Sequence, residues 1–142
     1  MATILLNESD PVRHELLRLR LQRQGHKVWS AHHLNDIIAT LHDVAVDLMI
    51  LDLDYQDLDE LSAFASRWKG IKILFQASAT ELRQDFRCWM ADQFVCKFQD
   101  GENVSRAVAQ LLQPKLLRRR NNYRPQKSYN YNSYGQVAVA WR

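Results

Sequence analysis

Val46-Asp47-Leu48-Met49-Ile50-Leu51-Asp52-Leu53-Asp54 is an apolar run of strand length that ends on a carboxylate. Strands covered by helices on both faces read as continuous apolar runs, whereas a strand with one wet face alternates. The run therefore predicts a central parallel strand. In open α/β sheets ligands gather outside the carboxyl ends of the strands, so an acid at that end meets solvent while its strand stays buried. Asp52 holds that position. The competing reading is that Asp52 merely opens a polar turn, Asp52-Leu53-Asp54-Tyr55-Gln56-Asp57, and the rest of the chain has to decide.

Upstream, Ala2 to Leu6 is apolar and β-compatible, and Asn7-Glu8-Ser9-Asp10 follows it with a second acid, Glu8, at a strand end. Asp10-Pro11 reads as an N-cap followed by proline at the first helical position, where its missing N–H costs nothing. In the helix that starts there, Val12, Leu16, Leu19 and Leu21 are expected near one face, Arg13, Arg18, Arg20 and Arg23 largely elsewhere, and Gly25 at the end. His26 to Ser30 predicts a second strand. His32 and His33 are neighbours in sequence, so their side chains point apart, and no third ligand has a recognisable spacing; they are read as a solvated helix start and given no site. Leu34, Ile37, Ile38 and Leu41 mark a helix over 34–44 that leads into the central strand.

Downstream, residues 53–60 read as a long acidic loop, and Leu61, Phe64, Ala65 and Trp68 as a third helix that Gly70 ends. Ile71 to Phe75 predicts a fourth strand, followed by Gln76-Ala77-Ser78-Ala79-Thr80, small and hydroxyl-bearing residues that let a ligand approach backbone donors. Glu81 to Met90 is expected as a fourth helix, Phe94 to Cys96 as a fifth strand followed at once by Lys97, and Glu102 to Leu112 as a fifth helix. Five strands alternating with five helices imply a doubly wound α/β parallel sheet, because right-handed crossovers cover both faces. Glu8, Asp52, Gln76 and Lys97 then converge on one edge. Acids with a lysine at one rim can hold a hard divalent cation through carboxylate oxygens and neutralise a phosphoryl group with the ammonium.

Composition bounds the alternatives. With 142 residues, 46% of them hydrophobic and 25% charged, the chain has material for one domain with a real core and a short appendage. No window approaches the roughly 20 apolar residues of a membrane span, and no secretory signal is recognisable, so a cytoplasmic protein is expected. Cys88 and Cys96 are too few for a disulfide framework and are read as reduced packing residues. The net charge of +3 divides unevenly: residues 1–113 carry 12 Lys and Arg against 16 Asp and Glu, and residues 114–142 carry 7 basic residues and no acid. A receptive acidic body thus precedes a basic extension suited to nucleic acid, an acidic protein surface or an anionic membrane.

Over about residues 2–113 the pattern resembles the receiver domain of two-component response regulators. The resemblance is carried by Ile4-Leu5-Leu6-Asn7-Glu8-Ser9-Asp10-Pro11, Asp47-Leu48-Met49-Ile50-Leu51-Asp52-Leu53 and Phe94-Val95-Cys96-Lys97. It implies a sheet in the order 2-1-3-4-5 and Asp52 as the phosphate-accepting aspartate. It implies a Mg2+ site from Glu8, Asp52 and the backbone carbonyl of Asp54, with Lys97, Gln76 and Ala77 around the phosphoryl group and Phe94 as the aromatic switch. It also implies a histidine kinase or phosphotransfer protein as donor, a downstream protein partner and a possible homodimer, in a protein that is not an enzyme. The sequence departs from the pattern at Ser9, where the second acid usually stands, and at Gln76, which replaces the switch hydroxyl. Phe98, Gln56 and Glu60 replace the usual proline after the lysine and the usual loop proline and glycine. One carboxylate fewer weakens the hold on magnesium.

Residues 114–142 contain Lys115-Leu116-Leu117-Arg118-Arg119-Arg120, then a stretch rich in Asn, Tyr, Ser, Gln and Arg that is too polar for a core. Arg118, Arg119, Arg120, Tyr123, Arg124 and Lys127 combine cations for phosphates with a ring for stacking on unpaired bases, a mixture that suits single-stranded nucleic acid or a partner protein. Val137 to Trp141 alternates and could add a strand to a sheet edge. No helix-turn-helix output domain fits in this length, so the expectation is an atypical stand-alone receiver. The alternative is a phosphorylation-independent pseudo-receiver, acting as a scaffold or a nucleic-acid adaptor through its tail. Asp52-Leu53-Asp54 also looks like the Asp-x-Asp motif of haloacid-dehalogenase-type phosphatases, but that motif opens the first strand of a longer enzyme.

Overall fold

The computed structural model describes residues 1–64, 67–79, 84–97 and 101–113. The central apolar run forms β3 (Leu48–Asp52), every residue of which is buried. Beside it lie β1 (Thr3–Leu6) and β4 (Lys72–Ala77), with β2 (Lys27–Ser30) and β5 (Gln93–Cys96) at the edges. All pairings are parallel and the order is β2-β1-β3-β4-β5. The expected doubly wound sheet is therefore the sheet observed.

Strand alternation sorts the core into two layers. Leu5, Met49, Leu51, Ile73, Phe75 and Ala77 join Ile37 of α2 (Leu34–Asp43) and Leu58 and Leu61 of α3 (Leu58–Phe64) in one buried cluster. Their neighbours in sequence, Ile4, Leu6, Leu48, Ile50 and Leu74, are equally buried and point to the other face. There α1 (Pro11–Arg23) buries Leu17 and Leu21, and α4 (Glu102–Leu111) buries Val104 and Val108. Gly101, at φ +99, lets the start of α4 come down on α1: a Cβ there would stand 3.1 Å from Leu17 Cδ2.

The local signals mostly act as expected. The Asp10 carboxylate accepts from Val12 N at 3.0 Å with Pro11 opening α1, and Gly25 at φ +94 follows its end. Five expectations are corrected. The buried stripe of α1 is Leu17 and Leu21, while Val12, Leu16 and Leu19 are exposed; leucines surround this helix, so periodicity alone could not choose the face. The third helix begins at Leu58, not Leu61, because the Asp57 carboxylate caps it by accepting from Asp59 N at 2.7 Å and Glu60 N at 3.4 Å. Trp68 is buried but lies beyond that helix, and Ala65 falls outside the described residues.

The strand after Gly70 runs on through Gln76 and Ala77, which therefore belong to β4 and not to a loop. Of the expected fourth helix, Phe86–Met90 is a 3-10 turn and residues 80–83 lie outside the described set. Its bonds from Cys88 N to Asp85 O and Ala91 N to Cys88 O span three residues. Immediately afterwards Asp92 exchanges two 2.8 Å bonds with Ile73, its carboxylate accepting from Ile73 N and its own N–H donating to Ile73 O. Cys88 and Cys96 are both half-buried. Residues 114–142, including Arg118, Arg119, Arg120, Tyr123, Arg124, Lys127 and the Val137–Trp141 stretch, lie outside the described residues.

Candidate functional site

Backbone pairing carries the chain past the strand ends and sets the site. Asn7 N donates to Ile50 O at 2.9 Å, Leu53 N to Gln76 O at 2.8 Å and Lys97 N to Ala77 O at 3.0 Å. Glu8, Asp52, Gln76 and Lys97 thereby come to one edge of the sheet. Asp52 and Gln76 pair directly in register, two residues on from Ile50 and Leu74, so their side chains point to the face covered by α1. Glu8 is 1% exposed and Asp52 and Gln76 are fully buried. Buried charge of this kind persists only when paired and hydrogen-bonded.

Lys97 supplies the pairing. Its Nζ lies 2.7 Å from Asp52 Oδ2, 3.1 Å from Glu8 Oε2 and 3.3 Å from Asp54 Oδ2. Burial opposes the ammonium's charge, but the hydrogen bonds it donates to Asp52 and Glu8 more than offset this and hold the lysine above its ordinary pKa. Asp52 Oδ2 also accepts from Ser9 N at 2.9 Å and Ser9 Oγ at 2.7 Å, and Asp52 Oδ1 accepts from Asp54 N at 2.9 Å. Ser9, in the position usually acidic in the resembled family, thus donates to the carboxylate it would otherwise repel. Ser78 binds Asp54 through its N–H at 2.9 Å and its hydroxyl at 2.7 Å. Burial pushes the Asp54 carboxyl up, and the Ser78 bonds with the Lys97 charge more than reverse this, leaving its pKa lowered.

Two residues that the sequence did not single out complete the arrangement. Arg13 donates from Nε to Glu8 Oε1 at 3.1 Å and from Nη2 to Gln76 Oε1 at 3.0 Å, with a side chain only 11% exposed. The Gln76 amide returns a bond from Nε2 to Glu8 Oε1 at 2.9 Å. Arg13 was expected largely away from the apolar face of α1; instead it shares a stripe with Leu17 and Leu21 at four-residue spacing, and the packing of those leucines aims it over the edge. That spacing was the available signal. Asn7 is the second: its Oδ1 accepts from Asp52 N at 3.0 Å and its Nδ2 donates to Ala31 O at 2.9 Å and His32 O at 3.0 Å. Gln56 donates to the same His32 carbonyl at 2.8 Å, and His33 stands at the N-cap of α2 with its N–H on Asp36 at 3.2 Å.

The remaining candidates are Ala77, Phe94 and Asp54. Ala77 is fully buried in the core and offers the edge its carbonyl, to Lys97 N. Phe94 is half-buried on β5, in register with Phe75, and packs against the hydrophobic core. The sequence assigns Asp54 a role through its backbone carbonyl; the structure brings its carboxylate to the cluster. Carboxylate oxygens of Glu8, Asp52 and Asp54 converging on one cationic point have the donor chemistry that suits Mg2+. With Lys97 Nζ seated at that point, no three His, Cys, Asp or Glu side chains among the described residues stand ready to hold a metal ion.

No protein-family profile and no curated protein matches the chain. Solved structures do. The response regulator TrrA of Thermotoga maritima, in complex with Mg2+ and beryllofluoride, is similar at a TM-score of 0.70 and 27% identity over 79% of this chain and 100% of that one. A complex of TrrA with the histidine kinase ThkA matches at 0.70 and 26% identity, over 80% of this chain and 100% of that one. The chemotaxis response regulator CheY4 of Vibrio cholerae shares the fold at 0.70 and 18% identity, over 79% and 99% of the two chains. With this strand order and these neighbours, the chain has the fold of response-regulator receiver domains and is similar to them. No helix among the described residues is long and apolar enough to cross a membrane.

Proposed function

We propose that this receiver domain accepts a phosphoryl group on Asp52 from a histidine kinase or phosphotransfer protein and signals onward through protein contacts and its basic extension. The observation that carries this reading is the Lys97 ammonium, 2.7 Å from Asp52 Oδ2 at the carboxyl end of β3. An Asp52 carboxylate oxygen attacks the phosphorus of a phosphohistidine, the P–N bond breaks, and the leaving imidazole nitrogen takes up a proton. An acyl phosphate forms. Lys97 is placed to turn from the carboxylates toward the phosphoryl oxygens, where charge accumulates during transfer. Asn7 and Ser9 hold the Asp52 backbone and carboxylate while this happens. Glu8 and Asp52 would hold Mg2+ through their carboxylate oxygens, and the ion would supply further positive charge for the phosphoryl group. TrrA bound to its kinase supports a kinase as the donor.

Treatment with acetyl phosphate and magnesium is expected to add one phosphoryl group by intact mass, and none to Asp52→Asn. Absence of the adduct across a wide magnesium range would overturn the proposal and favour the scaffold reading. That second reading has its own support, since Gln76, at the position of the switch hydroxyl, is held by Arg13 and Glu8. Under it, Asp52→Asn keeps full activity.

For the extension, residues 114–142, we assign a contact role with single-stranded nucleic acid or an acidic protein surface as its partner. The test is truncation after Gln113, which should abolish binding to either, while binding by the full chain should weaken as salt rises through screening and counterion release. Salt-independent binding, or binding retained by the truncated chain, would remove that role.

A further inference from the structure

The acidic edge holds its own cations. Glu8, Asp52 and Asp54 bring three carboxylates, and Lys97 and Arg13 bring two positive charges, leaving one formal negative charge. The two cations divide the work. Lys97 Nζ takes Glu8 Oε2 and Asp52 Oδ2, whereas Arg13 takes Glu8 Oε1 and, through Nη2, the Gln76 carbonyl that fixes the guanidinium plane. Both Glu8 oxygens are thus engaged, Oε1 by Arg13 and Gln76 and Oε2 by Lys97 and Asp10 N at 3.0 Å.

We infer that Arg13 is a built-in competitor of the divalent cation: it neutralises Glu8 within the fold, so that Mg2+ binds only by displacing the Arg13–Glu8 pair as well as turning Lys97 aside. The inference deepens the proposed function, because it rests on Glu8 and Asp52 being the acids that meet the metal. Its physical basis is charge balance and geometry. Entry of a dication into a site of one net negative charge leaves an excess of positive charge in a buried place. Without Arg13 the same site carries two negative charges, which one dication balances. The guanidinium also fixes Glu8 in a direction set by α1, since Arg13 lies in line, at four-residue spacing, with the buried Leu17 and Leu21. Arg13 is here a positioning residue that sets how readily the edge loads, acting through Glu8.

Calorimetric titration of Mg2+ into the full-length protein tests this without any phosphorylation. Arg13→Met keeps most of the apolar stem and removes the charge. Its Mg2+ affinity is expected to rise about tenfold over the unsubstituted protein, within the range by which groups surrounding a metal site alter affinity. A residue that merely braced the fold would, when lost, weaken the binding. Equal affinity, weaker binding or no binding in the folded variant overturns the inference. Should Arg13→Met not fold, the unsubstituted protein still decides: the Arg13 Nε–H resonance, protected by the bond to Glu8, should lose its protection against solvent exchange as Mg2+ saturates. An unchanged resonance at saturation, or no saturation, overturns it. The outcomes are separable from those of the phosphodonor experiment. An Asp52 adduct with no effect of Arg13 on the metal removes this inference alone, and tighter binding in Arg13→Met without an adduct removes phosphorylation alone.

Discussion

Lys97→Met is expected to destabilise the domain by about 3–5 kcal/mol at neutral pH, the cost of stripping one partner from a buried ion pair. Glu8 and Asp52 are essentially inaccessible to water, and Lys97 is the cation that touches both. Methionine fills much of the stem's volume, so the loss measures charge and hydrogen bonds more than a cavity. Urea unfolding reads it as a lower midpoint at an unchanged slope. A loss below about 1 kcal/mol, the worth of an exposed pair, would mean that the three carboxylates are not held by this ammonium. The pH dependence has a definite sign. Because the folded lysine lies above its ordinary value of 10.5, its contribution is fully present below that pH. It is lost as pH rises through the higher folded value. The difference between the parent protein and Lys97→Met should therefore persist at pH 9 and narrow only in stronger alkali.

Asn7→Leu is expected to cost about 2–4 kcal/mol, since two buried backbone groups lose partners at roughly 1–3 kcal/mol each. Those groups are Asp52 N, which donates to Asn7 Oδ1, and Ala31 O, which accepts from Asn7 Nδ2. The substitution conserves volume approximately, and leucine is the more apolar residue, so a hydrophobicity argument alone predicts the opposite sign. That opposition makes the measurement informative. Chemical denaturation checks it, with the backbone amide of Asp52 as a local reporter: its hydrogen exchange should accelerate more than that of Ile50 on the same strand. A stabilised Asn7→Leu would show that the side chain is not the stitch joining β1, β2 and β3.

What the sequence determined by itself is the frame. An unalternating apolar run from Leu48 to Asp52 can only be buried on both faces, and its length, with the β–α alternation around it, leaves a parallel doubly wound sheet as the economical solution. Strand ends follow from the run ends, which is why Glu8, Asp52, Gln76 and Lys97 were legible as neighbours although up to 89 residues separate them. Proline and glycine punctuation located both ends of α1 for the same local reason.

Only the tertiary structure decided which face of α1 turns inward, because leucines on several sides leave the helix without a preferred direction until Leu17 and Leu21 meet the sheet and the start of α4. That choice of rotation carries Arg13 to Glu8 and Gln76, and so sets the charge balance of the site. Likewise, Ser9 donating to Asp52, Asn7 joining three strands and the Asp92–Ile73 pair that ties the approach to β5 onto β4 are pairings across 43, 45 and 19 residues. Local propensity and periodicity contain no term for such partners. A polar side chain acquires its role only when folding brings its counterpart within hydrogen-bonding distance and removes the competing water.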